Sequence, residues 1–229
     1  MGSGGNEAIE RKEYRKDRLY FNDGKGKFTY QPTALPESYL NTSVVTGHDF
    51  DGDGDIDLFV GTRSVPGIYG INPDSFLLEN GGNGNFKNVT EAKAFDLMKI
   101  GMITDAAWAD MTGDGLPEIA GFDTNGNWWV SENTGSGLAA AQVWLGGGDP
   151  DPAHWFDVQA ADVTGDGKAD IVARYIDGSW WVGVSTGASF QPQLFATGWD
   201  PDPSHWLDVW AADATGDGKA DIVARYSDG

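Results

Sequence analysis

Five aspartates fall within the nine residues DFDGDGDID, residues 49–57. Carboxylates this close together repel one another strongly unless a cation lies among them. Oxygen-only ligands suit a hard cation, and roughly six to eight oxygens at flexible distances suit Ca²⁺ better than Mg²⁺. The two glycines of the stretch allow the backbone to curl around an ion with positive φ. The stretch therefore predicts a calcium-binding loop.

The same pattern occurs three more times, in loops that begin at Asp110, Asp162 and Asp213. In all four loops, side-chain oxygens occupy positions 1, 3, 5 and 9, and glycine occupies positions 4 and 6. Position 7 varies even to lysine, so we expect its backbone carbonyl to be the ligand. The sequence thus predicts up to four Ca²⁺ per chain. The predicted ligands are Asp49, Asp51, Asp53, Asp55 and Asp57; Asp110, Thr112, Asp114, Leu116 and Glu118; Asp162, Thr164, Asp166, Lys168 and Asp170; and Asp213, Thr215, Asp217, Lys219 and Asp221.

Two other kinds of calcium loop begin in the same way but continue differently. An EF-hand requires glutamate at position 12 and a helix on each side. Position 12 here is Val60, Gly121, Ala173 or Ala224, and runs typical of β-strands follow the loops. A dockerin-like loop fails for the same reason, because it also continues into a helix. The remaining alternative is that the loops are acidic surface turns that bind no metal. In the second loop, the longer side chain of Glu118 would change the geometry of the site.

The acidic loops lie within a longer internal repeat. The segments 151–178 and 202–229 match almost residue for residue at an offset of 51, and looser copies cover residues 102–126 and 43–62. Each loop precedes a short apolar run such as ADIVARY, and in three of the units a second strand such as SWWVGVS follows. Units of about four short antiparallel strands, repeated every ~40–50 residues, indicate the blades of a β-propeller. We therefore predict an all-β fold with four blades of four antiparallel strands per chain.

The repeat also predicts the blade boundaries. Residues 18–32 resemble residues 76–90, with Asn22 and Asn80 in step and Phe28 and Phe86 in step. These N-terminal strands are therefore expected to complete the last blade and close the ring, which hides two sheet edges. The predicted divisions are a cloning remnant (1–5), an N-terminal segment with the closing strands (6–32), and four blades (33–101, 102–150, 151–199 and 200–229).

The composition of the chain argues against several classes of partner and site. The formal net charge is −20, which argues against nucleic acid and against an anionic membrane surface. No apolar run approaches the ~18 residues of a membrane-spanning helix. The chain has no cysteine, so neither disulfides nor thiolate metal sites are expected. The signature motifs of nucleophile elbows, phosphate-binding loops and zinc sites are missing from the sequence.

The pattern D-x-[D/T]-G-D-G-x-x-[D/E] between strands resembles the FG-GAP and VCBS repeats of integrin α-chain propellers, fungal lectins and many secreted bacterial proteins. Residues 61–92 further resemble the FG-GAP repeats that accompany ASPIC and UnbV domains. From about Phe122 onward, the WWV strands and DPDPxHW loops resemble a different, Trp-rich subfamily. Two such halves favour an engineered chimera, and the alternative is one natural protein with divergent blades. The resemblance implies secreted parent proteins, and the opening MGSGG, read as a cloning remnant, indicates recombinant production without a signal peptide.

Three classes of function remain open. The favoured one is a calcium-binding propeller scaffold, a hybrid or designed protein without catalytic activity. The alternative is a lectin-like carbohydrate-binding or protein-interaction module, in which Trp155, Trp199 and Trp206 are the candidates for sugar contact. A glycan-active enzyme is the third class. His154 and His205 hold equivalent positions in the repeat, which favours a hydrogen bond within the loop over a catalytic role.

The assembly follows from the number of blades. A ring of four blades turns 90° between neighbours, whereas a ring of eight turns 45°, which is close to the angle of the seven-bladed rings usual in the family. Close-packed interfaces tolerate little change in such an angle. We therefore predict a homodimer in which N-terminal strands complete the partner's last blade in one eight-bladed ring. A four-bladed monomer is the alternative.

Overall fold

The computed structural model describes residues 15–68 and 70–227. The predicted cloning remnant, residues 1–5, lies outside this part of the chain. The described strands are β1 (Leu19–Asn22), β2 (Phe28–Gln31), β3 (Asn41–His48), β4 (Asp57–Ser64), β5 (Phe76–Asn80), β6 (Phe86–Asn88), β7 (Ile103–Ala109), β8 (Glu118–Asp123), β9 (Trp128–Ser131), β10 (Gln142–Leu145), β11 (Trp155–Ala161), β12 (Asp170–Tyr175), β13 (Trp180–Ser185), β14 (Phe190–Ala196), β15 (Trp206–Ala212) and β16 (Asp221–Tyr226). One short helix, α1 (Thr90–Lys93), and 3₁₀ turns at Phe95–Lys99, Pro152–His154 and Pro203–His205 lie between them.

The described strands form three four-stranded sheets and two two-stranded sheets. The four-stranded sheets have the orders β3-β4-β5-β6, β10-β9-β8-β7 and β11-β12-β13-β14, and the two-stranded sheets are β1-β2 and β15-β16. Antiparallel pairing joins β1-β2, β3-β4, β4-β5, β5-β6, β8-β9, β9-β10, β11-β12, β12-β13, β13-β14 and β15-β16. This is the strand complement of four propeller blades, and it confirms the predicted all-β fold.

The chain divides into two compact units. Unit 1 comprises residues 1–106 and 133–141, and unit 2 comprises residues 107–132 and 142–229. In unit 1, the side chains of Phe59, Leu77 and Leu97 are fully buried. In unit 2, one core cluster joins Met111, Ala120, Val130, Trp144, Ile171 and Phe190, and a second joins Val172, Trp180 and Val182. Among the described residues, no helix has the length and apolar composition needed to cross a bilayer.

The repeated sequence produces repeated backbone detail in unit 2. The register shifts between Phe156 and Gln159 in β11, and in the same way between Leu207 and Trp210 in β15. Within each shift an aspartate adopts positive φ, 55° at Asp157 and 53° at Asp208. Aspartate is among the few residue types other than glycine that adopt this conformation readily, which suits it to a bulge.

Candidate metal centres and an aromatic cavity

The first aspartate of each acidic loop holds the loop in its curled shape. In the first loop, the backbone N–H groups of Gly52 and Asp53 donate to Oδ1 of Asp49 at 2.8 and 3.1 Å, and that of Gly54 donates to Oδ2 at 2.9 Å. The aspartates that open the other three loops accept the same three bonds. The turn needs positive φ at both glycines, which is 75° at Gly52 and 94° at Gly54. This explains why glycine occupies positions 4 and 6 in all four loops.

The carboxylate at position 9 lies beneath the loop. Asp57, Glu118 and Asp170 are each fully buried. Asp57 accepts a hydrogen bond from the N–H of Phe50 at 3.2 Å and another from the N–H of Asn80 at 2.8 Å, so it joins the loop to β5. Burial raises the pKa of Asp57 to about 6 despite these bonds. A cation among the neighbouring carboxylates would favour the ionised form.

Two of the four loops bring three carboxylates together. Oxygens of Asp49, Asp51 and Asp57 lie within 4.8 Å of one another, and so do oxygens of Asp110, Asp114 and Glu118. At position 3 of these loops, Oδ1 of Asp51 and Oγ1 of Thr112 are buried without a hydrogen-bond partner. Buried polar oxygens normally have a partner. A hard cation would supply one, so the residues of the first two loops fit Ca²⁺. The longer Glu118 does not prevent the clustering.

The other predicted ligands are not gathered in this way. Asp53 and Asp55 lie outside the first cluster, and within the described residues no cluster of three carboxylates forms in the third or fourth loop. In the third loop, Nζ of Lys168 lies 2.6 Å from Oδ2 of Asp166. This lysine partly neutralises the carboxylate at position 5. The position-7 carbonyls remain predicted ligands.

A lysine that the repeat pattern did not reveal lies beside the first loop. Nζ of Lys93, at the end of α1, is 3.0 Å from Oδ2 of Asp51 and 2.5 Å from Oε2 of Glu79. It also lies 5.0 Å from the centre of the Phe50 ring. Lys93 is 42 residues from Asp51 in sequence and belongs to no repeated motif, so only the folded chain identifies it.

Within unit 2, successive loops are bonded to each other. The N–H of Ala169 donates to the carbonyl of Asp110 at 2.7 Å, and the N–H of Ala220 donates to the carbonyl of Asp162 at 2.7 Å. In both cases position 8 of one loop meets position 1 of the loop before it. Pro117 occupies position 8 of the second loop and has no N–H to donate.

Unit 2 also contains an aromatic cavity of about 410 Å³. Its walls include Trp128, Trp155, Tyr175 and Trp181, and Asp149 and Asp177 also line it. The ring centres of Trp155 and Tyr175 are 4.9 Å apart. This cavity had no counterpart in the sequence analysis beyond the choice of Trp155 as a sugar-contact candidate. The other two candidates, Trp199 and Trp206, pack on each other with ring centres 4.5 Å apart.

A hydrogen-bonded group beside the cavity involves the first repeated histidine. Oδ2 of Asp149 lies 2.7 Å from Nδ1 of His154 and accepts a bond from the hydroxyl of Tyr175 at 2.6 Å. The Tyr175 hydroxyl, the N–H of Asp151 and His154 lower the pKa of Asp149 to about 2, and Asp149 in turn raises the pKa of His154. His205 makes the equivalent contact with Asp200 at 2.7 Å. The prediction that both histidines hold their loops by hydrogen bonds is confirmed.

Comparison with known proteins agrees with this architecture. A family model described as FG-GAP-like repeat matches four times, at residues 8–60, 49–121, 110–173 and 162–224. None of the curated proteins matches the chain significantly. Among solved structures, the chain is similar to an Agrocybe aegerita lectin that recognises non-reducing terminal N-acetylglucosamine, with a TM-score of 0.59 and 21% identity over 90% of this chain and 54% of the lectin. A Photorhabdus luminescens Tc holotoxin pore gives a TM-score of 0.45 and 20% identity over 91% of this chain and 10% of that one. The chain thus spans about half the length of the lectin.

Proposed function

Since the chain belongs to the FG-GAP-like repeat family, we propose that it is a calcium-stabilised, non-catalytic β-propeller that serves as a binding module. The observation that carries the calcium part is the pair of three-carboxylate clusters in the first and second loops, each beside a buried oxygen without a hydrogen-bond partner. Bound Ca²⁺ would offset the repulsion between the carboxylates. Asp49, Asp51 and Asp57 would hold one ion, and Asp110, Thr112, Asp114 and Glu118 another. The third and fourth loops, with fewer gathered oxygens, are the weaker predicted sites.

Calorimetric titration of the chelator-treated chain with Ca²⁺ tests this proposal. We expect two tighter sites, and the double substitution Asp51→Asn and Asp114→Asn should remove them. Mg²⁺ should bind more weakly, because it demands a stricter octahedral geometry. If the titration gives no heat beyond that of dilution, calcium binding is contradicted.

Carbohydrate binding is the second candidate function, and the aromatic cavity of unit 2 favours it. Indole faces beside carboxylates suit sugar rings, which offer apolar C–H faces and hydroxyl donors. The lectin relative, similar in fold, recognises a terminal N-acetylglucosamine. A glycan array would test this function, with Trp155→Ala as the variant that removes one wall and Trp210→Ala, exposed and outside the cavity, as the control.

The origin of the chain is a separate part of the proposal. The two halves of the chain have different sequence patterns, which supports an engineered hybrid of two parents. The N-terminal half resembles ASPIC- and UnbV-associated repeats, and the C-terminal half resembles a Trp-rich, VCBS-like subfamily. The aromatic cavity, lined entirely from unit 2, fits a binding function taken from the second parent. Extracellular parents would suit sites of this kind, because extracellular calcium modules bind Ca²⁺ at roughly 10⁻⁴–10⁻³ M. A genome that encodes both halves in one reading frame would contradict the hybrid.

The proposed assembly is a homodimer of the 229-residue chain that closes one eight-bladed ring. The sheets β1-β2 and β15-β16 each have half the strands of a blade. In the dimer, β1-β2 of one copy would complete the β15-β16 sheet of the other.

A further inference from the structure

Two copies of one loop in unit 2 differ at four positions, and at one of the four a glycine stands in place of a tryptophan. Residues 145–155, LGGGDPDPAHW, align with residues 196–206, ATGWDPDPSHW, so Gly148 and Trp199 hold the same position. One close backbone approach at this position is also repeated. A Cβ added at the turn glycine Gly126 would lie 2.2 Å from the carbonyl oxygen of Gly148, and one added at the equivalent Gly178 would lie 2.1 Å from that of Trp199.

The bonds that hold the two loops are repeated as well. Nε1 of Trp155 donates to the carbonyl of Asp149 at 3.0 Å, and Nε1 of Trp206 donates to that of Asp200 at 2.9 Å. The two loops therefore share the same backbone contacts and tryptophan bonds, and the second copy shows which side chain fits among them.

In the second copy, the framework holds an indole ring. The ring of Trp199 lies with its centre 4.5 Å from that of Trp206 and 5.3 Å from that of Trp180. It packs against the core cluster of Val172, Trp180 and Val182. The position is thus an aromatic slot between two tryptophans, filled by the chain itself.

In the first copy, the same position has no side chain and the cavity of about 410 Å³ is found there. Trp128 and Trp155 stand where Trp180 and Trp206 stand in the second copy, and both line the cavity. An apolar cavity of roughly 150 Å³ in another protein is large enough to bind benzene. The present volume also falls within the range of roughly 300–1,000 Å³ that is common for small-molecule sites.

The walls of the first copy are also more apolar than those of the second. Phe122 occupies the position that Arg174 occupies one repeat later, and its ring centre lies 5.1 Å from that of Trp128 and 6.4 Å from that of Trp155. The Phe122 ring therefore contacts both tryptophans of the slot. The acidic residues that line the cavity are Asp149 and Asp177, and none of the described residues that line it is lysine or arginine. A neutral or positively charged ligand is therefore favoured over an anion.

We propose that the cavity at Gly148 binds a planar aromatic compound of indole size, neutral or cationic, in the position that the Trp199 side chain fills one repeat later. This inference rests on the proposed role as a binding module and names the class of its ligand. The ligand ring would lie against Trp128 and Trp155, and an attached ammonium group would point toward the carboxylates. A sugar is the competing occupant.

Calorimetric titration of the full calcium-loaded chain with four probes tests the proposal: tryptamine, indole, indole-3-acetate and N-acetylglucosamine. We expect one site per chain for tryptamine and indole, with indole-3-acetate at least tenfold weaker and the sugar weaker still. Gly148→Trp should abolish binding by filling the slot, whereas Gly148→Ala should retain it. An added Cβ at Gly148 meets only the carbonyl oxygen of Gly126, at 3.2 Å, so both variants require a small local adjustment.

Trp199→Gly provides the reciprocal test, because it should open a second slot and raise the stoichiometry to two aromatic ligands per chain. If that variant fails to fold, the difference in ligand binding between Gly148→Trp and Gly148→Ala still tests whether the ligand occupies the slot. Sugar binding that is lost in Gly148→Trp, with no binding of the aromatic probes, would overturn the aromatic ligand and leave the binding module intact. Failure of every probe, together with an empty glycan array, would overturn both.

Discussion

Arg174 and Arg225 occupy the same position in two identical DIVARY strands, yet the side chain of Arg174 is 1% exposed and that of Arg225 is 62% exposed. The sequence of the strand cannot cause this difference. β12 pairs with both β11 and β13, whereas β16 pairs only with β15 among the described strands. The exposure of Arg225 therefore accompanies a strand that has one neighbour instead of two among the described strands.

Completion of this blade by a second copy is the first prediction. The expected register follows from blade 1, where Leu78 lies opposite Leu58 and the N–H of Asn80 donates to Oδ1 of Asp57 at 2.8 Å. By the repeat alignment, Tyr20 of one copy should lie opposite Ile222 of the other, with the N–H of Asn22 donating to Asp221. Light scattering should give twice the 24.5 kDa mass of one chain, and the β16 amides should resist hydrogen exchange.

Tyr20→Pro offers a variant for the same prediction, because by the repeat alignment with Leu78 it removes a backbone donor that β1 would present to β16. We expect it to shift the mass toward that of one chain and to expose the β16 amides. Lys25→Ala, in the turn between β1 and β2, leaves the backbone donors of β1 in place and serves as the control. A wild-type mass of 24.5 kDa at micromolar concentration would exclude the dimer.

The second prediction concerns calcium and stability. An ion that binds only the folded chain stabilises it by about 2.7 kcal/mol at a concentration one hundred times its dissociation constant. For a chain of this length, each kcal/mol raises the melting temperature by roughly 2–4 °C. Millimolar Ca²⁺ should therefore raise the melting temperature by about 5–10 °C per occupied site, and chelator should reverse the change. Scanning calorimetry in both conditions measures it, and superimposable scans would count against the metal sites.

The third prediction is a pH dependence at the His154–Asp149 pair. The folded-state pKa of His154 is raised, so its contribution to stability is complete below the unfolded value of about 6.5 and is lost as pH rises through the folded value. The pKa of Asp149 is lowered to about 2, so its contribution is present above about pH 4 and is lost as pH falls toward 2. The pair should therefore stabilise most between about pH 4 and 6.5.

Melting temperatures measured from about pH 5 to 9 would test this pair. His154→Gln should flatten part of the decline above about pH 6.5, whereas His48→Gln, outside the pair, should leave that decline in place. The effect should be small, because about a third of the His154 side chain is exposed to solvent. Parallel curves for the wild-type chain and His154→Gln would show that the pair does not influence stability.

How far the sequence could predict this protein depends on whether a feature is repeated. The acidic loops, the DIVARY strands and the histidine contacts recur at a regular offset, and each could be recognised in the aligned repeats. Lys93 could not be found in this way, because it reaches Asp51 from α1, which has no counterpart in the other blades as far as the structure describes them. The aligned repeats show that Gly148 stands where Trp199 stands one repeat later. They do not show the slot that Trp199 fills, because that slot forms only when the chain folds.

The fourth prediction concerns the competition between Lys93 and calcium. By its number of carboxylates, the first loop should bind Ca²⁺ most tightly of the four. Lys93, however, places a positive charge 3.0 Å from Oδ2 of Asp51 and is bonded to Glu79 as well. It should stabilise the loop without calcium, because it offsets the repulsion among the carboxylates, and weaken calcium binding, because it occupies one of their oxygens.

Lys93→Met therefore has two expected effects of opposite sign. In chelator its melting temperature should fall, and with Ca²⁺ its affinity at the first loop should rise about fivefold, which corresponds to ~1 kcal/mol for a partly exposed charge. Lys99→Met removes the same charge and serves as the control, because Lys99 pairs with Asp74 and not with a carboxylate of the first loop. Calorimetric titration and thermal unfolding of the three chains measure both effects. Equal shifts in Lys93→Met and Lys99→Met would mean that only net charge matters, and the role assigned to the Lys93–Asp51 contact would then be wrong.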